Sequence, residues 1–420
     1  MLPDLGIRHA LLLQGPAGPF MHRFGRELRA AGSRVTKVNF HAGDVLFYSR
    51  PDALAFRGTF DEWPVFLRDL IVRESVDGVF AFGDCRPLHR MAATVAEELG
   101  ITFFAFEEGY LRPDWITLER HGVNGHSHMP RNPEHYRDLQ LPEPPEPTPV
   151  GPSFGLSAWY STLNALAFTH LNQRFPHYTH HRNLNAWYHT FVWVRNVFRK
   201  KRFQFTERDM QRAIVEGWSG RYFLVPLQVH CDFQLHHSPY DDMLDFVGEV
   251  VSSFAQHAPA DTAIVFKHHP MDRAYREYGD LFRELARTHD IEGRLFYCHD
   301  LHLPTLLKHA RGTITINSTV GISSLHHGTP VKTMGTAVYD LPGLTAGCSL
   351  EEFFQNQTAP DRDLYEQFRR YLINENQING NFYKRVPAVD SPTGFRWFDC
   401  FGREALLGGE RKSGPRATTG

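Results

Sequence analysis

Residues 101–115 read ITFFAFEEGYLRPDW: a six-residue run with apolar side chains at both alternating positions, then two acids, a glycine and a polar stretch with a proline. A run this short, apolar on both faces and closed by a turn signal, reads as a strand buried on both sides. Such strands belong to parallel sheets covered by helices. Upstream, the runs His9–Gln14, Val35–Phe40 and Gly78–Phe82 alternate with the amphipathic stretches Phe20–Ala31, Pro64–Glu74 and Pro87–Leu99. Downstream, PEPPEPTPVGP from Pro142 cannot lie inside a strand or helix and reads as a stiff linker or surface loop.

A helical segment rich in Trp, Tyr, Phe, His and Arg follows, over about Leu156–Gln211. The alternation then resumes with strand-like runs Tyr222–Pro226, Ala263–Lys267, Arg294–Tyr297, Thr313–Ile316 and Val331–Met334. Helical stretches Asp241–Ala255, Arg273–Thr288, Pro304–His309 and Val320–His327 separate them. The expected fold is α/β, with two Rossmann-type, doubly wound units facing across a ligand cleft. The expected boundaries are a first unit over 1–140, a Pro-rich linker and helical bridge over 141–215, and a second unit over 216–345. C-terminal helices over 346–407 and a disordered tail over 408–420 complete the chain.

Composition narrows the function classes. The 420 residues hold 45 Lys plus Arg against 47 Asp plus Glu, a formal charge of −2, so no global field draws polyanions and nucleic acid is not an expected partner. No stretch approaches the ~20 apolar residues that cross a bilayer, and MLPDLGIRHALLLQG carries no small-residue cleavage pattern, so a cytoplasmic location is expected. Cys85, Cys231, Cys298, Cys348 and Cys400 contain no C-x-x-C pair. Several of the 25 histidines fall in doublets, such as His236-His237, His268-His269 and His326-His327, whose neighbours point to opposite faces on a strand. With no H-E-x-x-H and no D-x-D in a plausible loop, no metal and no other cofactor is expected.

Ligands of open parallel sheets bind beyond the carboxyl ends of the strands. Glu107 and Glu108 stand at one such end, with Gly109 permitting a sharp turn; either acid could serve as base or nucleophile, or both could be solvated or paired with Arg112. Lys267, His268, His269 and Pro270 close a second strand, and Pro270 suggests that His269 opens a helix whose N–H groups face an anion, or merely caps it. Asn317, Ser318 and Thr319 close a third, where capping is the plain alternative. Two converging helix N-termini would make an anion site in the second unit. On the first unit, Gln14 and Gly15 follow the first strand without a P-loop or G-x-G-x-x-G pattern, and Asp84 and Arg86 reach the same cleft edge or start a helix. A carboxylate facing a phosphate site suits transfer of a phosphate-linked group to an acceptor.

The segments LLLQGPAGPF, VNFHAGD, FGDCRPLHR, FEEGYLRPDWITLERHGVNGHS, VPLQVHCDFQL, FKHHPMDRAYREYG and INSTVGISSLHHGTPVKTMG resemble the capsule polysaccharide biosynthesis and export family of Gram-negative bacteria, over about residues 9–345. The resemblance is to the member with one domain pair that acts beside the two-module Kdo transferase, and Glu107–Ser127 is its most specific part. It implies a GT-B-like fold and a retaining β-Kdo transferase that uses CMP-β-Kdo and a lysophosphatidylglycerol-type lipid acceptor. The acid-acid-Gly, His-Pro and Ser elements are also similar to those of GT-B-like bacterial sialyltransferases, which use CMP-sugars. Carried over, Glu108 is the catalytic carboxylate, His269-Pro270 the CMP-phosphate motif and Ser318 a phosphate contact. Gln14, Gly15, Asp84, Arg86, Arg112 and Asn124, all on the first unit, are assigned to the acceptor and sugar side of the cleft. The related two-module enzymes tend to carry aspartate where Glu108 stands, which leaves nucleophile and base both open. Implied partners are the inner-membrane surface, the two-module transferase and the export machinery. Transfer of sialic acid or glycerol phosphate from another activated donor, or a non-catalytic export scaffold, are the rival readings. Trp187–Arg202 mixes aromatics with a basic end, fitting either an interfacial helix on an anionic leaflet or an interdomain helix.

Overall fold

The structure, a computed structural model, describes residues 2–180, 183–230, 235, 238–399 and 401. Cys231, His236, His237, Cys400 and the tail expected over 408–420 lie outside the described residues.

The first unit is built from strands β1 (His9–Leu12), β2 (Arg34–Asn39), β3 (Ala53–Ala55), β4 (Gly78–Phe82), β5 (Thr102–Glu108) and β6 (Trp115–Arg120). Helices α1 (Phe20–Ala30), α2 (Ala42–Phe47), α3 (Trp63–Glu74) and α4 (Pro87–Glu98) connect the first five. A short α5 (Pro133–Asp138) follows β6, and α6 (Phe154–Leu171), α7 (Ala186–Thr206) and α8 (Met210–Trp218) form the bridge. The second unit holds β7 (Tyr222–Pro226), α9 (Met243–His257), β8 (Ala263–Lys267), α10 (Gly279–Thr288), β9 (Leu295–Cys298), α11 (Leu303–His309), β10 (Gly312–Thr315), α12 (Val320–His326) and β11 (Val331–Thr333). Its five strands are all parallel, in the order β11-β10-β7-β8-β9.

The first sheet departs from the purely parallel expectation. Its order is β12-β6-β5-β4-β1-β2-β3, with β6 antiparallel to β5 and β12 (Gln377–Asn379) antiparallel to β6. β5 does not stop at Phe106: Glu107 pairs with Thr117 and Glu108 with Ile116, so both acids are strand residues. The hairpin forms because Trp115–Arg120 also alternates, placing Ile116 and Leu118 on the face that Phe104 and Phe106 cover. Residues 346–407 are likewise not only helices. After α13 (Leu350–Gln355) and α14 (Arg362–Glu375) the chain returns to the first unit as β12. There Ile378, Phe382, Phe395 and Trp397 join the core formed by Phe20, Phe24, Phe80 and Phe106.

That return is fixed by polar as well as apolar contacts. Buried Glu27 on α1 accepts hydrogen bonds from the Thr393 N–H (2.9 Å), the Thr393 hydroxyl and the Trp397 indole (2.8 Å). The proline-rich stretch is strapped down too, since the Thr148 N–H donates to Asn379 and the Val150 N–H to Asp114.

The Phe382 ring sits 4.8 Å from Phe20 and 5.2 Å from Phe82. Phe382→Ala is therefore expected to cost about 3–5 kcal/mol in a denaturant titration, as for other buried aromatics; a loss under about 1 kcal/mol would show that the returning segment is not part of this core.

Candidate functional site

The carboxyl ends of the strands of both sheets open onto one cavity of about 770 Å³. The first unit supplies Gln14 and Gly15 after β1, Gly83 to Arg86 after β4, Glu107 and Glu108 at the end of β5, and Arg112 and Asn124 beyond it. The second supplies Gln228 and His230 after β7, His269 after β8, and Asn317, Ser318 and Thr319 after β10. Ser157, Ser161 and Asn164 of α6 and Tyr188, His189, Val192, Trp193 and Asn196 of α7 form a third wall.

Glu107 and Glu108 occupy opposite faces of β5, yet both line the cavity because they stand at its very end. The Glu107 Oε1 accepts the Glu108 N–H at 3.0 Å, and the Glu108 carboxylate lies 3.7 Å from the Arg112 guanidinium. Burial raises the Glu108 carboxyl above its ordinary range, and Arg112 works against that rise. The Asp84 carboxylate is buried, which alone would push it up. Hydrogen bonds from His126 (3.0 Å), the Val123 N–H (3.0 Å) and the Cys85 thiol (3.2 Å) outweigh burial, so the group is held below its ordinary value. Arg86 donates to Gln14 Oε1 at 2.8 Å, and Gln14 donates to the Tyr178 hydroxyl at 3.0 Å. Asp84, Cys85 and His126 bring one ligand atom each within 4.8 Å of one another, the one such group among the described residues. A cation there would have to displace the hydrogen bonds that already occupy Asp84.

On the second unit the structure corrects the expected anion site. No helix opens at Pro270. Residues 270–275 form turns and α10 begins only at Gly279. The carbonyls of Arg273 and Arg276, which a helix would consume internally, accept instead from Arg199 of α7, and buried Asp272 is drawn to His230. His269 still lines the cavity, its Nδ1 accepting the Met271 N–H at 3.1 Å. Lys267, His268 and Pro270 do not line it. Buried Lys267 donates to the His299 carbonyl at 3.1 Å, and His268 lies 2.7 Å from the Tyr297 hydroxyl, with burial lowering its pKa to about 3. The two converging helix N-termini reduce to one, and there Ser318 Oγ accepts the Val320 N–H of its own seven-residue helix.

Some cavity residues carried no assigned role in the sequence. His230 faces the cavity with its Nδ1 on the buried Asp272 carboxylate, an arrangement that fixes the ring's orientation. Lys37, His41 and Asp44 of the first unit also line the cavity, with burial lowering Lys37 to about 8 against the pull of Asp44. VNFHAGD and VPLQVHCDFQL were the visible signals, but only the fold shows which of their residues turn inward.

Residues 77–383 match the family model described as capsule polysaccharide biosynthesis protein. The chain is 41% identical over 382 residues to the capsule polysaccharide export protein KpsS of Escherichia coli, covering 89% of this chain and 96% of that one. It is 40% identical over 384 residues to the capsule polysaccharide modification protein LipB of Neisseria meningitidis serogroup B, covering 90% and 92%. Among solved structures, the Thermosulfurimonas dismutans KpsC beta Kdo 2,7 transferase aligns over 95% of this chain and 98% of that one, at 14% identity and a TM-score of 0.44. The architecture is that of two α/β units whose sheets open onto one cavity. The chain belongs to the capsule polysaccharide biosynthesis family.

Beneath the site, buried Glu119 accepts from the Ser127 hydroxyl and from Asn376 Nδ2 at 3.2 Å, and burial pushes it up to about 7 from an ordinary 4.5. The folded chain thus holds this proton more tightly than the unfolded chain, and stability falls as pH rises from about 4.5 to about 7, with a slope of up to about 1.4 kcal/mol per pH unit. Glu119→Gln is expected to flatten the fall in unfolding midpoint between pH 5 and 7; parallel curves for variant and wild type would contradict it.

Proposed function

We propose that this protein is a retaining glycosyltransferase that moves Kdo from CMP-β-Kdo to a lysophosphatidylglycerol-type lipid, starting the β-Kdo linker of a capsular polysaccharide, and that it does so without a metal ion. The observation that carries the reading is the shared cavity, with Glu107 and Glu108 on one wall and His269, Asn317, Ser318 and Thr319 on the other. Membership of the capsule family and the resemblance of Glu107–Ser127 support the choice of sugar.

In this reading the nucleotide's phosphate lies against the second unit, where His269 and the Ser318 hydroxyl stabilise negative charge as it develops on the leaving group. The Glu108 carboxylate attacks the anomeric carbon as the bond from that carbon to the phosphate oxygen breaks, and CMP departs with the electron pair. The acceptor hydroxyl then attacks the glycosyl–Glu108 ester from the opposite face, releasing the carboxylate and passing its proton to a base. Two inversions give net retention. Arg112, at 3.7 Å, favours the ionised carboxylate that the first step needs.

Incubation with CMP-Kdo and a synthetic lysophosphatidylglycerol is expected to give a product heavier by one Kdo residue. A lipid unchanged in mass, or one modified only when CMP-sialic acid or a CDP-activated donor is supplied, would overturn the reading. Glu108→Gln should lose at least about a hundredfold in turnover while folding normally, and wild-type turnover would remove Glu108 as nucleophile. His269→Ala should lower kcat/KM by about 10²-fold, the scale of a lost charge-stabilising donor. Chelation with EDTA and Cys85→Ser should both leave turnover intact. Activity lost to EDTA and restored by a divalent cation would contradict the metal-free step.

A further inference from the structure

The α6–α7 pair has two unlike sides. Toward the cavity it presents residues such as Ser157, Asn164, Tyr188 and Asn196. Away from it, Trp187, Phe191, Val194, Phe198 and Phe205 are exposed, Trp187 by 76% and Phe198 by 73%. Their spacing of three, four and seven residues keeps them on one stripe of α7, which the mixed aromatic sequence does not reveal without the burial pattern. Trp159 and Leu166 extend the exposed apolar surface onto α6. Twelve of the twenty exposed large apolar side chains among the described residues fall on these two helices, too many for scattered surface exposure.

The charges are as one-sided as the apolar groups. In a chain that is 22% charged, α6 contains no Asp, Glu, Lys or Arg, and α7 contains Arg195, Arg199, Lys200, Lys201 and Arg202 with no acid. Arg199 is spent on the second unit's carbonyls, whereas Arg195, Lys201 and Arg202 flank the apolar stripe by helical position. Both helices are tied to the body of the protein. Gly43 of α2 leaves room for Asn164, since a Cβ there would fall 1.8 Å from its Oδ1, and Asn196 accepts from Arg273 at 3.0 Å. Among the described residues no helix is long and apolar enough to cross a membrane. An apolar stripe edged by cations on a helix that does not span is the pattern of a surface-lying element.

We propose that the outer face of α6–α7 docks on an anionic lipid surface and thereby seats the cavity, whose third wall is the inner face of the same helices, against the headgroups. The docking stands on exposure and charge alone. Only the inference that the acceptor arrives by this route rests on the transferase reading.

Co-sedimentation of the full chain with phosphatidylcholine vesicles, with and without a quarter of phosphatidylglycerol, tests it. The wild type should bind the anionic vesicles and release as salt rises. Arg195→Glu/Lys201→Glu/Arg202→Glu should weaken binding about a hundredfold, each basic residue near such a surface contributing about a factor of five. Trp187→Ser/Phe191→Ser/Phe198→Ser should abolish it, with circular dichroism reporting an intact fold. Both variants should keep wild-type turnover on an acyl-free glycerophosphoglycerol acceptor. Indifference of the wild type to anionic lipid, or a self-association that the apolar variant abolishes while vesicle binding persists, would overturn the docking. Vesicle binding without any Kdo transfer would leave the docking standing and remove the acceptor route with the transferase reading.

Discussion

The turn that follows Glu108 depends on a glutamine that arrives late in the chain. Tyr110 and Leu111 are buried, and their N–H groups donate to Gln377 Oε1 at 2.9 and 3.4 Å. Gln377, itself fully buried, donates to Thr117 Oγ1 and Asn376 Oδ1, both at 2.9 Å. A buried N–H left unpaired is costly, so these bonds hold the acid-bearing hairpin to one course. The edge of the first unit that carries the candidate nucleophile is thus completed by chain that has already passed through the second unit.

This threading joins the two halves mechanically. Tyr110, Leu111 and Trp115 from the hairpin pack with Ile322, Leu325 and Val338 of the second unit and with Phe368 and Leu372 of α14. The acids and the residues after β10 are therefore referenced to one apolar cluster. Across the opening, α6 rests on the first unit and α7 on the second, so the cleft is bridged on its far side as well. A ligand entering the cleft would then meet a cavity held at two places rather than two independent lobes.

Much of this was legible in the sequence. Gly78–Phe82, Tyr222–Pro226 and Ala263–Lys267 are strands at the positions their apolar runs indicate. The strand ends did bring Glu107, Glu108, His269, Asn317, Ser318 and Thr319 to one cavity. The errors have local causes. β12 is three residues long and its pairing is antiparallel and distant, which no short-range pattern encodes. Pro270 suits a helix start, but Arg199 and His230 compete for the groups a helix would need. Lys267 follows the strand's alternation into the core, so its charge could not be read as cleft-facing from its position at a strand end. His230 and the inner face of α7 were missed because their roles come from convergence across the cleft, and the aromatic richness of α7 hid the separation of its two faces.

In the proposed reaction a carboxylate of the first sheet and a phosphate-binding wall of the second address one donor molecule across a single cavity. A crystal structure with bound CMP tests it most directly. The phosphate should lie within hydrogen-bonding distance of His269 and Ser318, with its sugar-bearing oxygen directed at Glu107 or Glu108. A nucleotide held instead by Gln14, Asp84 and Arg86, with the second unit's wall untouched, would contradict it.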